Sequence, residues 1–271
     1  MPLPSSGQIT INQIHVEAGG GSGSQAAIND ADIRDMIGKG STAQNAFNEY
    51  YGVSAAAPVA TYKGRTLTTG NGFPTGNVTL SSGSKLVVVT CQLAGGGNTY
   101  VNVGGVSATL AAKMDTVPTG GVWGAGLTSA VYYLVTSASG STQITGNGGS
   151  GRSVTHVWEI TGYNSSTPTA TASAQNTDNT SFSKTISLST QYNGVTIGSG
   201  ITEDTNPAAS VTVSNSDTIQ QIDLESATNH FCWDDEGTAS GTTSYNCVQN
   251  NPASNIVAGS TIMQLAAAHW K

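Results

Sequence analysis

Lys85-Leu86-Val87-Val88-Val89-Thr90-Cys91-Gln92 is the stretch whose reading decides the fold. β-Branched side chains dominate it, and they fit a pleated strand better than a helix. Leu86 to Val89 is apolar without alternation, which predicts a strand covered on both faces. Outward from it, short segments of the same kind recur between clusters of Gly, Asn, Ser and Pro. Toward the N-terminus lie Val59 to Lys63 and Val78 to Ser81; toward the C-terminus come Tyr100 to Val103, Ser107 to Lys113, Thr128 to Thr136, Gln143 to Thr145 and Ser153 to Thr161. In Val154-Thr155-His156-Val157-Trp158-Glu159-Ile160 the polar and apolar residues roughly alternate, which predicts a sheet with one wet face. The second half adds Thr169 to Ala174, Ser181 to Ser189, Gly194 to Gly198, Ser210 to Ser214, Thr218 to Leu224, His230 to Trp233, Ser244 to Val248 and Ile262 to Trp270. Strands at this spacing predict a mainly β chain, a jelly-roll-like antiparallel β-sandwich over residues 58–271. The polar run Asn164 to Thr180 is the best candidate for a break, read as a long turn and an edge strand inside one domain. No period of 20 to 50 residues is visible.

Composition points the same way. Charged residues make up 9% of the 271, against about a quarter in an ordinary soluble domain, and there are 34 glycines. Hydroxyls and amides therefore carry the surface, as suits the exposed exterior of a particle. The formal charge of −7 argues against nucleic acid or an anionic membrane as the main partner. No run approaches the roughly 20 apolar residues of a membrane span, and Met1-Pro2-Leu3-Pro4 lacks the basic start and apolar core of a signal peptide. The expectation is synthesis in a cytoplasm, without membrane insertion.

Residues 1–57 read differently. Ile9-Thr10-Ile11-Asn12-Gln13-Ile14 has the form of a capping box with a hydrophobic staple: Thr10 caps, Gln13 reaches back and Ile9 packs on Ile14. Ile28-Asn29-Asp30-Ala31-Asp32-Ile33 repeats the phrase with Asn29 as cap, Asp32 at the positive end of the helix dipole and Ile28 against Ile33. Asn45-Ala46-Phe47-Asn48-Glu49-Tyr50, followed by Tyr51-Gly52, keeps the acid and the aromatic but has lost the capping side chain. Such short helices need a partner. With Gly-Ser breaks between them they are not expected to bury much surface among themselves, so the segment reads as a docking element or as a small cap on the β domain.

Leu3-Pro4-Ser5-Ser6-Gly7-Gln8-Ile9, Asn29-Asp30-Ala31-Asp32-Ile33-Arg34-Asp35 and Tyr50-Tyr51-Gly52 together resemble the N-terminal module of tailed-bacteriophage virion proteins, in fibres and other appendages of the tail and sometimes the head. The long Gly-Ser insert after Ala18 and the weak third cap depart from that pattern. The resemblance implies a virion structural protein, most simply a tail fibre or tail-tip appendage, docked through Ile9, Thr10, Ile14, Ile28, Asn29, Asp32, Ile33, Tyr50 and Tyr51. It implies other virion proteins as partners, the virion as location and a host surface glycan or protein as a further partner; it implies no catalytic residues. Appendages follow the symmetry of the axis they sit on, so a homotrimer is expected. The alternatives are a tail-borne glycan depolymerase and a capsid decoration or head-fibre protein.

Four groups of residues bear on chemistry. Asp234-Asp235-Glu236 is a solvated acidic loop, a Ca²⁺ site with hard oxygen ligands, or a carboxylate pair for glycoside hydrolysis. Cys232 and Cys247 flank that loop as a candidate disulfide or as two free thiols, and Cys91 is expected in the core. His15, His156, His230 and His269 have no spacing that implies a shared site, and no Gly-x-Ser-x-Gly elbow is present, so no enzyme is expected. Tyr132, Tyr133, Trp158, Tyr163, Phe231, Trp233, Tyr245 and Trp270 are read mostly as core, with some as a possible platform for a sugar ring.

Overall fold

The computed structural model describes residues 3–18, 21–30, 33–34, 36–37, 39, 44–51, 57–69, 74–94, 99–115, 126–146, 152–163, 165–176, 182–191, 193–203, 210–224, 228–238, 241–250 and 263–271. Among the described residues, α1 (Ile11–Glu17) and a 3₁₀ turn (Phe47–Tyr50) precede the strands. In chain order these are β1 (Val59–Thr68), β2 (Thr75–Leu80), β3 (Lys85–Ala94), β4 (Val101–Val103), β5 (Val106–Ser107), β6 (Thr109–Asp115), β7 (Leu127–Thr136), β8 (Gly140–Gly146), β9 (Ser153–Thr161), β10 (Ala170–Asn176), β11 (Ser183–Thr190), β12 (Gly194–Glu203), β13 (Ser210–Val213), β14 (Thr218–Leu224), β15 (Thr228–Thr238), β16 (Gly241–Asn250) and β17 (Met263–Trp270). Every described strand pair is antiparallel.

The strands form two sandwiches with one topology. In the first, a five-stranded sheet ordered β1-β9-β3-β7-β6 faces a four-stranded sheet ordered β2-β8-β4-β5. In the second, β10-β17-β12-β15-β14 faces β11-β16-β13. Reading β10 for β1, β11 for β2, β12 for β3, β13 for β4, β14 for β6, β15 for β7, β16 for β8 and β17 for β9 converts the first pair of orders into the second. Only β5 is extra. It is the far arm of a two-residue hairpin in which Gly104 and Gly105 both have positive φ, 58° and 82°, as a tight antiparallel turn requires. Successive strands pass between the sheets as in a jelly roll. The expected antiparallel sandwich is present, but as two sandwiches where one was expected, with the join at residues 162–169, the start of the polar run.

The two five-stranded sheets pack on each other, so the layers run outer, inner, inner, outer. β12 lies on β3 and β7, β17 on β6 and β7, β15 on β3 and β1, and β10 on β6. The strand equivalence does not carry over to this packing: β17 meets β6 and β7, whereas its counterpart β9 has no matching contact with β14 or β15 among the main element contacts. Three apolar clusters fill the three gaps. Val78, Leu80, Val87, Val89, Cys91, Val101, Val103, Ile144 and Val157 fill the first sandwich. Ile186, Leu188, Phe231, Trp233, Tyr245, Cys247, Met263 and Leu265 fill the second. Between the inner sheets, Leu86, Val88, Val131, Trp158 and Ile160 meet Val195, Ile197, Cys232, Ala266, Ala268 and Trp270; this gap is called the seam below.

Burial on both faces follows from the layering. β3, β17 and nearly all of β9 are buried along their length. The both-face burial expected for Leu86 to Val89 is therefore found, whereas the wet face expected for Val154 to Ile160 is not. Two of its polar side chains are satisfied internally: Thr155 bonds Thr66 at 2.7 Å, and Glu159 accepts from the Ser81 N–H and hydroxyl at 2.6 and 2.7 Å and pairs with Lys63 at 3.2 Å.

The second sandwich fits its larger side chains by removing others. A Cβ on Gly198 would stand 2.0 Å from the Trp233 ring, and one on Gly200 2.1 Å from the Phe231 ring. These are the directly opposed residues of the neighbouring strand, so the two rings lie over the glycine backbone.

Candidate functional site

The N-terminal segment forms as its first phrase predicts. Gln13 N–H donates to Thr10 Oγ1 at 3.2 Å and Thr10 N–H to Gln13 Oε1 at 2.8 Å, which is the reciprocal capping box. The glycine-rich insert folds back on α1: Gly23 N–H donates to Asn12 Oδ1 at 2.8 Å, and His15 Nε2 bonds Ser24 Oγ at 2.8 Å. The second phrase starts one residue later than expected. Arg34 N–H donates to the Asp30 carbonyl, which places the cap at Asp30, and the Asp30 carboxylate accepts from Ala27 N–H at 2.8 Å. Asn29 instead accepts from the Arg34 guanidinium through its carbonyl and its Oδ1. The third phrase is the 3₁₀ turn, where Glu49 reaches back to Ala46 N–H at 2.7 Å and forms an ion pair with Lys39.

Contrary to expectation, these pieces make a core of their own. Ile14, Ile33 and Tyr50 are fully buried, with Leu3 and Ala18 beside them, and Ile9 and Ile28 pack against the same cluster. Asn45 ties it together, donating to the Ile28 carbonyl at 2.6 Å and to the Tyr50 hydroxyl at 2.8 Å. This cluster draws on residues 3–50, whereas the other apolar clusters draw on residue 60 and beyond. Lys271 Nζ donates to the Ala18 carbonyl at 3.1 Å, joining the segment to the chain's far end. Val16, Phe47 and Tyr51 remain exposed, with the Tyr51 hydroxyl on the Gly7 carbonyl. Of the expected docking residues, Ile14, Ile33 and Tyr50 are thus core, Thr10 and Asn29 are local hydrogen-bonding groups, and Asp32 lies outside the described residues.

Asp234, Asp235 and Glu236 are part of β15, where successive side chains point to opposite faces. Asp235 turns toward the outer sheet and accepts from the Tyr245 hydroxyl at 2.7 Å. Glu236 turns toward the first sandwich and accepts from Ala60 N–H. Asp217 accepts from Glu236 N–H at 2.6 Å. Burial pushes the Asp234 carboxyl up to about 6, helped by the charges of Glu236 and Asp217. Burial also raises Asp235. The three carboxylates do not converge, and among the described residues no group of three or more His, Cys, Asp or Glu is disposed to hold a metal ion.

Of the two readings of Cys232 and Cys247, the structure contains free thiols. Cys91, Cys232 and Cys247 are free and buried. Cys232 faces the seam, Cys247 the second sandwich core and Cys91 the first, so the second inner sheet lies between Cys232 and Cys247.

Two of the histidines share a surface after all. His156 on β9 and His230 on β15 both face the seam, each without exposure. Burial lowers both to about 3 and His269 to about 4. Nothing in their sequence spacing signalled this, because the seam is made by strands from different repeats. The aromatics are largely core: Tyr132, Trp158, Phe231, Trp233, Tyr245 and Trp270 are buried, and Tyr133 and Tyr163 pack partly buried on the seam cluster.

The two outer sheets carry neutral polar residues at their outward positions. On the first these are Thr75, Asn77, Thr79, Ser141 and Gln143; on the second, Thr185, Ser187, Ser189, Thr242, Ser244 and Asn246. Some pair across strands, as Ser187 with Ser244 at 2.8 Å and Thr185 with Asn246 at 3.2 Å. No helix among the described residues is long and apolar enough to cross a membrane. Compared with family models, curated proteins and solved structures, the chain matches none.

Proposed function

We propose that this chain is a structural component of a tailed-phage virion, a tail fibre or tail-tip appendage. Residues 3–50 dock it to other virion proteins, and the double sandwich is displayed outward, where it meets the host surface. The observation that carries this reading is the separate core of residues 3–50, which holds Val16, Phe47 and Tyr51 at its surface although its own interior is complete. Exposed apolar side chains on a module with a filled core are available to a partner. The neutral outer faces agree with display, since they present hydroxyls and amides without charge. The appendage is proposed to be a homotrimer on the phage axis. Electron microscopy of virions labelled on this chain tests the reading, and the position of the label separates tail appendage from head decoration. Absence of label from the particle overturns it.

A glycan depolymerase is the second reading, favoured by the raised carboxyl of Asp234 two residues from Glu236. Release of oligosaccharides from host surface polysaccharide, abolished by Asp234→Asn, selects it over the structural role.

A further inference from the structure

The seam is apolar around Trp158 and Trp270, but polar farther along. There Gln92 Nε2 donates to Ser199 Oγ at 2.8 Å, to Thr90 Oγ1 at 3.0 Å and to the Phe231 carbonyl at 3.2 Å, and Ser129 Oγ donates to Ser199 Oγ at 2.8 Å. His156 Nδ1 bonds the Tyr62 hydroxyl at 3.0 Å, and His230 Nε2 bonds the Thr228 hydroxyl at 2.9 Å. The remaining ring nitrogens, His156 Nε2 and His230 Nδ1, are buried without a hydrogen-bond partner among the described residues. A neutral imidazole tolerates one unpaired nitrogen. An imidazolium donates from both nitrogens, so either ring, once charged, would bury an N–H with no acceptor.

The surrounding charges do not help. On β1, Arg65 is paired in register with His156, and Arg152 precedes β9; both guanidinium groups oppose a second positive charge. The β1 side also supplies Tyr62, and β15 supplies Cys232, Asp234 and Glu236. Asp234 is four residues from His230, roughly 13 Å along the strand. From β3 come Thr90 and Gln92, from β12 Val195, Ile197, Ser199 and Ile201, from β14 Gln220 and Ile222, and from β17 Gln264, Ala266, Ala268 and Trp270, all uncharged.

We propose that the seam is an acid-opened joint: protonation of His156 and His230 parts the two inner sheets while each sandwich stays folded. Opening gives both rings water, whereas the first and second sandwich cores contain neither of them. His269, the third buried histidine, lies on the other face of β17, off the seam, where its ring accepts from Gln191 N–H at 2.9 Å and bonds Thr196 Oγ1 at 3.1 Å. A ring with an ordinary value of 6.5 when open and about 3 when closed favours opening by about 100-fold at pH 4.5, and two rings by about 10⁴-fold.

The three thiols report on the three gaps separately. The full chain is treated at pH 7 and pH 4.5 with 4,4′-dithiodipyridine, which reacts with thiols in acid, and modified sites are located by mass spectrometry, with rates normalised to the unfolded chain. The expected result is a large acid-dependent rise in Cys232 modification, with Cys91 and Cys247 still protected. His156→Gln and His230→Gln each reduce the rise by about 100-fold, and His269→Gln leaves it unchanged. Simultaneous modification of all three thiols, or a rise that survives both seam substitutions, overturns the proposal. Should a variant not fold, the order of modification in the unaltered chain decides the matter by itself.

Discussion

Gln92 of β3 and Ser199 of β12 are joined by a 2.8 Å hydrogen bond from Nε2 to Oγ, at the point where the central strands of two equivalent sandwiches meet. Both residues are fully buried. One amide serves three acceptors there, so shortening it removes three buried hydrogen bonds at once.

Gln92→Ala is accordingly expected to lower the free energy of unfolding by about 2–4 kcal/mol, from lost hydrogen bonds and the space left behind. Urea denaturation measures it, with Ser187→Ala on the outer face as the comparison, expected within about 0.5 kcal/mol of the parent. Equal effects at the two positions would show that the seam contributes nothing specific.

Gly198→Ala and Gly200→Ala place a methyl group inside the Trp233 and Phe231 rings as they now lie. Each is expected to destabilise by about 1–3 kcal/mol or more, through forced movement of a packed ring. Intrinsic tryptophan fluorescence, to which Trp233 contributes with Trp123, Trp158 and Trp270, gives a second readout; an unshifted spectrum with unchanged stability refutes the close approach.

Acid should weaken the fold. His156, His230 and His269 are depressed in the native state, so their neutral forms cost nothing above pH 6.5, and stability is lost as pH falls from 6.5 toward 4 and 3. Asp234 and Asp235 act oppositely, since their raised carboxyls take up a proton on folding, Asp234 between about 6 and 3.8. Three groups outweigh two, each worth at most about 1.4 kcal/mol per pH unit. The urea midpoint should therefore be lower at pH 4.5 than at pH 7, and a constant or rising midpoint contradicts the assignment.

Chelation should do nothing. With Asp235 directed away from Asp234 and Glu236, melting curves with and without EDTA are expected to coincide. A drop in Tm would mean a cation bound to the native state.

Ile33→Asp buries a charge in the core of residues 3–50 and should unfold that segment at a penalty of several kcal/mol. Hydrogen exchange is expected to show loss of protection at Ile14 and Tyr50, with the strands unaffected, and a chain beginning at Pro58 should melt cooperatively. Aggregation of that shortened chain would make the segment an integral part of the β fold.

The positions of the strands were legible in the sequence because period-two patterning and turn residues mark each one locally. The duplication was not. β3 turns Val87, Val89 and Cys91 into its sandwich where β12 turns Thr196, Gly198 and Gly200, because the second sandwich exchanges strand side chains for the rings of Phe231 and Trp233 on the adjacent strand. Volume is kept across the pair rather than at each position, so residue-by-residue similarity is erased while topology survives. The layering was hidden for a related reason: Thr155 and Glu159 look wet in sequence, but their partners Thr66, Ser81 and Lys63 are remote along the chain. In the N-terminal segment the side chains of Asn29 and Asp30 bond Arg34 and Ala27 N–H, contacts that the repeated phrase does not specify. The seam histidines could not have been paired in advance, since that requires knowing which sheet faces which.

The join between the sandwiches is short, from Thr161 at the end of β9 to Ala170 at the start of β10. Two separate chains meeting through such a seam would dissociate on dilution, whereas a tether of this length holds each half at an effective concentration on the order of millimolar relative to the other. Closure is thus independent of how dilute the protein becomes, and the seam can be individually weak without the halves being lost. Were it to open, the same tether would return the halves to their original partners, so that opening is reversible and cannot readily exchange halves between neighbouring molecules.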